Sequence, residues 1–230
     1  MEILFLNTLN GKIREPITAF LAPYAKTADI LCLQEVYDTA YNMQEICRRL
    51  FPDYTATVAY KPIEGDDFAQ ATYVRPSVRV LSTQIVFPED RSLGLGILTT
   101  IEHHGSPLHI CNFHGRSKPG HKLDTPERLK QTQGLIEFFQ NMQGEKIIGG
   151  DFNADISSRT ILDLEDAGYT NLIRANNIRT TRNRIAWEAY PLTPQLHSDY
   201  IYVSSGIKVR RLQVIENEIS DHLPMVLEIE

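Results

Sequence analysis

The hexapeptide Ile148-Gly149-Gly150-Asp151-Phe152-Asn153 sets a carboxylate and a carboxamide two residues apart behind a pair of glycines. The preceding Lys146-Ile147-Ile148 reads as a strand. Residues two apart in an extended segment point to the same side. Asp151 and Asn153 are therefore expected to project together from a strand end, past backbone that Gly149 and Gly150 leave uncrowded. An acid and an amide held this way suit one task, orienting a water molecule and an anionic oxygen beside a metal ion. Gly, Asp and Asn are also common at strand-to-turn junctions for backbone reasons alone. The hexapeptide therefore decides little by itself.

The same arrangement recurs along the chain. Ile3-Leu4-Phe5-Leu6 runs into Asn7, and the apolar run Asp29–Leu33 ends in Gln34-Glu35. Leu108–Phe113 ends in His114, Asp199 opens the β-rich Tyr200–Val203, and Ser220-Asp221-His222-Leu223-Pro224 precedes the strand-like Met225–Ile229. Polar groups at the ends of apolar strands gather at one rim of a sheet, where ligands bind. Each motif has a plainer reading. Glu35 is a surface residue past a strand end, Asn7 to Gly11 is a turn in which Asn10 rivals Asn7, and Ser220-Asp221-His222 is capping chemistry. Against the first stands the cost of a carboxylate at the end of a buried strand unless it is paired or metal-bound.

Asn7, Leu33-Gln34-Glu35-Val36, Asn112-Phe113-His114, Gly150-Asp151-Phe152-Asn153, Asp199-Tyr200-Ile201 and Ser220-Asp221-His222-Leu223-Pro224, in this order, resemble the endonuclease/exonuclease/phosphatase superfamily, the DNase I-like fold. The resemblance runs from residue 3 to residue 229. It implies an α/β fold, a four-layer α/β sandwich of two mixed, largely antiparallel β-sheets flanked by helices. It also implies a Mg²⁺ or Mn²⁺ cofactor, with Glu35 on the metal, Asn7 beside the metal or phosphate, and Asp221 as a second metal contact. Asp151 then orients or deprotonates the attacking water, and Asn153 holds the phosphate or metal. Asp199 orients His222, fixing its tautomer and favouring the charged ring, so that His222 stabilises the charge added to a scissile phosphate. His114 matches a second active-site histidine, on the phosphate or the leaving group. His103, His104, His109, His121 and His197 have no counterpart and read as structural or solvated.

The activity implied is hydrolysis of a phosphoester by in-line attack of water. The leading expectation is a phosphodiesterase or nuclease acting on nucleic acid or a nucleotide-like ester. The alternative is a phosphatase or phospholipase of the same fold. An inactive binding module is disfavoured because every expected polar position is filled.

The elements that must carry these residues follow from periodicity and punctuation. Strands are expected at 2–7, 29–34, 55–60, 69–75, 78–87, 93–101, 106–113, 146–150, 199–204, 207–215 and 224–229. A helix over 13–26 buries Ile13, Ile17, Phe20, Leu21 and Tyr24, with Pro16 tolerated in its first turn. A second, over 38–50, turns Tyr41, Ile46, Cys47 and Leu50 inward. A third, over 125–141, has Thr125 as N-cap, Pro126 at N1, and Leu129, Thr132, Leu135, Ile136 and Phe139 facing inward. A fourth, near 158–167, stops at Gly168. Pattern alone gives α/β or α+β with much antiparallel sheet.

With 230 residues and no internal repeat or linker, the chain reads as a single catalytic domain over 1–230. Three cysteines without paired spacing argue against a disulfide framework or zinc cluster. No apolar run approaches the roughly 18 residues of a membrane span. No basic leader precedes an apolar stretch, so the expected placement is cytoplasmic. The net charge is -6, unlike a dedicated binder of long duplex DNA. Yet positive charge is concentrated in two segments. His114–Lys130 holds Arg116, Lys118, Lys122, Arg128 and Lys130 against Asp124 and Glu127, and Arg174–Trp187 holds Arg174, Arg179, Arg182 and Arg184 against no acid. Arg128 and Lys130 are expected on a solvated helix face. Arg179, Arg182, Arg184 and Trp187 are expected to bind an anionic substrate, the guanidinium groups on phosphates and the indole against a base.

Overall fold

The structure, a computed structural model, describes residues 1–38, 42–63, 67–189, 191–192 and 195–230. Strand β1 (Glu2–Asn7), a 3-10 turn at Leu9–Gly11, helices α1 (Arg14–Leu21) and α2 (Tyr24–Thr27), strand β2 (Ile30–Gln34) and helix α3 (Met43–Leu50) open the chain. Strands β3 (Thr55–Lys61), β4 (Phe68–Val74), β5 (Val80–Val86), β6 (Leu95–His103) and β7 (Ser106–His114) follow. Next come α4 (Pro126–Gln140), β8 (Glu145–Asp151), α5 (Arg159–Asp166), β9 (Thr170–Asn171), α6 (Leu172–Ala175) and α7 (Arg184–Ala189). The chain closes with β10 (Asp199–Val203), β11 (Val209–Val214) and β12 (Met225–Ile229).

The strands form two six-stranded sheets, ordered β11-β12-β1-β2-β4-β3 and β5-β6-β7-β8-β10-β9. Each sheet has one parallel pair at its centre, β1 with β2 and β7 with β8, and is otherwise antiparallel. Alternation assigns the faces. Ile3 and Phe5 of β1 enter the core shared with the second sheet, while Leu4 and Leu6 pack with Ile17 and Leu21 of α1 and Ile46 of α3. On the far side, Leu135 and Phe139 of α4 and Ile161 and Leu164 of α5 join the core of the second sheet. The order helix–sheet–sheet–helix is the expected four-layer sandwich. Among the described residues, no helix is long and apolar enough to cross a membrane.

Two glycines let the layers meet where β8 ends. A Cβ on Gly149 would stand 2.6 Å from the Phe5 ring, and one on Gly150 (φ +131°) would stand 2.1 Å from the Phe113 carbonyl oxygen. Beside them a polar seam crosses the apolar interface. Gln34 Nε2 donates to Asn112 Oδ1 (2.6 Å), and Asn112 Nδ2 donates to the carbonyls of Ala71 (3.0 Å) and Leu33 (3.3 Å). Gln70 Nε2 donates to the carbonyls of Asn112 (2.8 Å) and Leu95 (3.1 Å). Gln34, Gln70 and Asn112 have no exposed surface. Gln34 and Asn112, conspicuous in the motifs, thus tie the two sheets together.

Local departures have local causes. The helix expected over 13–26 breaks at Pro23 into α1 and α2. Tyr41, at the start of the helix expected over 38–50, lies outside the described residues; the helix itself runs from Met43, capped by Asn42, whose side chain accepts from Glu45 N (3.1 Å). On α4, Thr125 caps as expected, accepting from Arg128 N (3.2 Å). The inward face is rotated, however. Leu129 is exposed and Arg128 is wholly buried in its place, which overturns the solvated reading of Arg128. Its guanidinium donates to the carbonyls of Arg116 (3.2 Å), Ser117 (3.1 Å), Pro119 (2.8 Å), His121 (2.7 Å) and Leu123 (2.6 Å). Lys130 does face solvent, paired with Asp90 at 2.9 Å.

Candidate active site

The two parallel pairs set the rim. Asn7 is in register with Gln34, and His114 with Asp151, so four strands end level. Strand β10 runs antiparallel to β8, which puts its first residue, Asp199, opposite Asp151. Strand β12 runs antiparallel to β1, so Asp221 and His222, just before it, arrive at the same edge. Asn7, Glu35, His114, Asp151, Asn153, Asp199, Asp221 and His222 therefore converge from both sheets.

At the centre, His222 Nδ1 lies 2.9 Å from both carboxylate oxygens of Asp199. Ser198 Oγ donates to Asp199 Oδ2 (2.9 Å), and Thr181 Oγ1 accepts from the backbone N–H of Ser198 (3.1 Å) and of Asp199 (3.2 Å). His222 Nε2 faces Asp151 Oδ2 at 3.6 Å and Asp221 Oδ1 at 3.7 Å, and His114 Nε2 faces Asp151 Oδ2 at 3.8 Å. His114 is held edge-on to the Phe68 ring (5.1 Å), and its Nδ1 has no hydrogen-bond partner among the described residues. Asp151, Asp199 and His222 each bring an atom able to ligate a cation within 4.8 Å of the others.

Charge states follow from these neighbours. Burial alone would push the Asp151 carboxyl up, but His222, Lys122, His114 and Arg182 outweigh it and hold Asp151 well below the usual carboxylate range. Burial and Arg182 both disfavour the charged His222 ring, yet Asp199, Asp221 and Asp151 prevail and raise its pKa. Asp221 is lowered despite burial, by His222 and Arg182. The neighbours thus favour an ionised Asp151 and the charged form of the His222 ring that faces it.

Asn7 links two carboxylates. Its Nδ2 donates to Glu35 Oε1 (3.1 Å) and Asp151 Oδ2 (3.0 Å), and its Oδ1 accepts from Leu9 N (3.0 Å). It is thus the NH₂ side of the amide that meets the acids. Glu35 sits at φ +55°, a left-handed conformation that costs a non-glycine residue on the order of 1–2 kcal/mol. The turn is clamped by Thr8 Oγ1, which donates to the carbonyls of Gln34 and Glu35, both at 3.0 Å.

Asn153 reaches the site differently from expectation. Strand β8 ends at Asp151, and Asn153 lies beyond it at φ +55° with its N–H donating to Asp151 Oδ1 (2.8 Å). The side chains share the rim through a turn rather than through strand alternation. Asn153 Nδ2 donates to the Gly115 carbonyl (3.0 Å), and Asn153 Oδ1 accepts from Lys122 Nζ. Lys122 was legible only as one cation in a basic segment, without a motif to mark it. Its pKa is depressed to about 8, chiefly by burial, with Arg182 and Arg128 adding to the effect and Asp151 and Asp199 opposing it.

The four residues expected to bind substrate part company. Arg182 is buried and paired with Asp221 (2.5 Å), also reaching the Asp221 carbonyl (3.1 Å) and Ser198 Oγ (3.2 Å). Arg184 is exposed but held by Glu218 (2.9 Å) and Glu188 (2.7 Å). Arg179 is exposed and makes no ion pair among the described residues. Trp187 is half-buried. All four line a groove of about 760 Å³ that also contains Asn183, Glu216 and Glu218.

The model of the Endonuclease/Exonuclease/phosphatase family matches residues 6–222, from the end of β1 to His222 itself. The chain belongs to this family. No curated protein sequence matches it significantly. Solved structures similar to this family member include the human Nocturnin catalytic domain with a bound sulfate anion, at TM-score 0.73 and 19% identity over 100% of this chain and 94% of that one. D. rerio TDP2 humanized by 14 mutations aligns at TM-score 0.78 and 17% identity, covering 100% and 98%. The endonuclease/exonuclease/phosphatase from Bacteroides vulgatus aligns at 0.74 and 15%, covering 100% and 98%. At such identities these likenesses show the fold.

Proposed function

We propose that this family member is a divalent-metal-dependent phosphodiesterase acting on nucleic acid or a nucleotide-like ester. The observation that carries the reading is the Asp199–His222 pair directed at Asp151 beside the Asn7–Glu35 contact. Water attacks phosphorus in line. A P–O bond forms to the water oxygen as the P–O bond to the leaving oxygen breaks. Asp151, ionised and fixed by Asn7 and by Asn153 N–H, orients the water and takes its proton. The His222 imidazolium meets the charge that grows on the phosphoryl oxygens. His114 flanks the same position, and the leaving oxygen departs with the bonding electrons and is protonated from solvent.

The residues fit a hard cation. Glu35 and Asp151 share one amide donor, the Asn7 Nδ2, so two carboxylates meet at the rim, an oxygen set that favours Mg²⁺ or Mn²⁺ over zinc. Glu35 is the first candidate ligand and Asp221 the second, with Asn7 orienting the carboxylates. The trio Asp151, Asp199 and His222 is better read as the acid–base unit, because Asp199 gives both oxygens to His222. A bound divalent cation polarises the phosphoester and lowers the pKa of the attacking water.

A second reading, a phosphatase or phospholipase acting on a smaller phosphorylated molecule, is favoured by one observation. Arg182 and Arg184 are tied to carboxylates, which leaves Arg179 as the member of the arginine group open to a polyanion. A substrate panel tests both readings: single- and double-stranded DNA, RNA, bis-p-nitrophenyl phosphate, inositol phosphates and sphingomyelin, with Mg²⁺ or Mn²⁺ and with EDTA. Cation-dependent cleavage of nucleic acid and the aryl diester is expected. Turnover confined to inositol phosphates or sphingomyelin would establish the second reading, and undiminished turnover in EDTA would defeat both.

A further inference from the structure

We propose that Lys122 is a phosphate-binding residue of this active site and that the buried Arg128 is the positioning residue that holds it there. The inference rests on the phosphoester reading above.

Lys122 does not belong to any strand-end motif. It lies on the loop between β7 and α4, and its ammonium enters the rim from the side of the second sheet. There it donates to Asn153 Oδ1, a neutral oxygen that needs no counter-charge. An ammonium group carries three N–H donors. Among the described residues, Asn153 takes one of them and no carboxylate forms an ion pair with Lys122. The electrostatic neighbours of Lys122 include Asp151 and Asp199, so the group stands in the same field as the acid–base unit. A cation placed among catalytic carboxylates, anchored through an uncharged amide and left with unspent donors, is set to receive an anionic oxygen. The scissile phosphate is the anion that the site must hold.

The loop is built to keep it there. The five carbonyls that converge on Arg128 belong to residues 116–123, the stretch that carries Lys122. The Lys122 carbonyl accepts from Asp155 N (2.7 Å), and Gln195 Nε2 donates to the Gly120 carbonyl (3.0 Å). Asp124 closes the loop onto α5, accepting from Arg159 N and Thr160 N, both at 2.9 Å. A surface loop with no regular structure is thereby fixed from within, at the cost of burying a guanidinium. Bidentate and fork geometry makes Arg128 fit for this in a way that lysine is not. The investment is intelligible if the loop must present Lys122 in a fixed place.

The test compares the full chain with Lys122→Met, Lys122→Arg and Arg128→Lys. Bis-p-nitrophenyl phosphate hydrolysis reads catalysis. Binding of inorganic phosphate to the EDTA-treated protein, followed by calorimetry, reads the anion site without turnover. Lys122→Met should lose about 10²-fold in kcat/KM, the scale of removing one charge-stabilising donor, and at least about tenfold in phosphate affinity, while Lys122→Arg restores part of both. Arg128→Lys should raise KM and weaken phosphate binding in the same direction with Lys122 intact. A lysine that merely braces Asn153 would lower Tm and leave phosphate affinity unchanged, and that outcome, or a Lys122→Met enzyme equal to the parent, overturns the inference. If the parent binds phosphate through Lys122 yet hydrolyses no member of the panel, the phosphoesterase reading fails and the anion site stands. If Lys122→Met does not fold, Lys122→Gln is measured in its place against the same two readouts.

Discussion

The Oδ2 of Asp151 stands 3.6 Å from Nε2 of His222, close enough to feel its charge and too far for a strong hydrogen bond. Each group is anchored from behind, Asp151 by Asn7 and by Asn153 N–H, His222 by Asp199. At this spacing a single oxygen approaching from the open side can contact both groups at once, which makes them one device. Asp151→Asn and His222→Ala should each lower kcat by about 10³-fold or more, and the double variant should lose little beyond the worse single one. Steady-state kinetics of the three variants decides the matter. Losses that multiply would mean that the two residues serve separate steps.

The raised His222 pKa makes a prediction about pH. A histidine whose folded pKa lies above its unfolded value of about 6.5 contributes stability that is fully present below that value and is lost as pH rises through the folded pKa. Asp199 is one of the groups that raise it. In Asp199→Asn the titration of the His222 ring, followed by NMR, should move down. The stability difference between parent and variant, read from urea midpoints, should be larger at pH 6 than at pH 9. Equal differences at both pH values would show that Asp199 does not act through the charge of His222.

Glu35 combines a strained backbone with a carboxylate crowded by another. Glu35→Gln should reduce turnover by about 10²-fold or more and weaken the cation requirement. Glu35→Asn should also be inactive, yet asparagine adopts the left-handed conformation more readily. It should therefore match or exceed the parent in stability, by up to about 1 kcal/mol. A thermal melt in EDTA checks this, and a clear loss of Tm would show that Glu35 is needed for the fold.

The arginines beside Trp187 should behave differently from one another. Arg182→Ala removes a buried guanidinium and strips the partner from the partly buried Asp221 carboxylate, a change that costs up to roughly 3 kcal/mol, so it should unfold several degrees earlier. Arg184→Ala should be close to neutral, because solvent screens its exposed ion pairs. Arg179→Ala should leave Tm and aryl diester hydrolysis unchanged. It should raise KM on an oligonucleotide and flatten the log–log salt dependence by about one unit. A salt slope unmoved by Arg179→Ala would remove the best support for a polyanionic substrate.

The ends of strands were the readable part of this chain. Asn7, His114, Asp151, Asp199 and His222 announced themselves because each polar residue abuts an apolar run, and parallel or antiparallel pairing then forces them to one rim. Residues that depend on loops were not readable. Lys122 has no periodic neighbour, and its place is set by hydrogen bonds from Arg128, itself invisible because a helix accepts arginine on any face. The arginine group shows the converse error. Charge counted along the sequence does not reveal which guanidinium already has a carboxylate: Asp221 and Glu218, on Arg182 and Arg184, lie more than thirty residues away in the chain, and Glu188, which also holds Arg184, falls just past the end of the counted segment. Asn112 was marked by its motif but belongs to the seam between the sheets.

That seam has a mechanical meaning. Apolar surfaces attract without direction, so the burial of Ile, Leu and Phe draws two sheets together without by itself naming which atoms must meet. The site has half its residues on each sheet, Glu35 on one side and Asp151 on the other, and a slip of an ångström would separate them. The carboxamide contact between Gln34 and Asn112, one residue before Glu35 and two before His114, resists that slip because a hydrogen bond tolerates only a narrow range of length and angle. It works as a dowel between two plates, and its place next to the rim keeps the alignment tightest where the chemistry would occur.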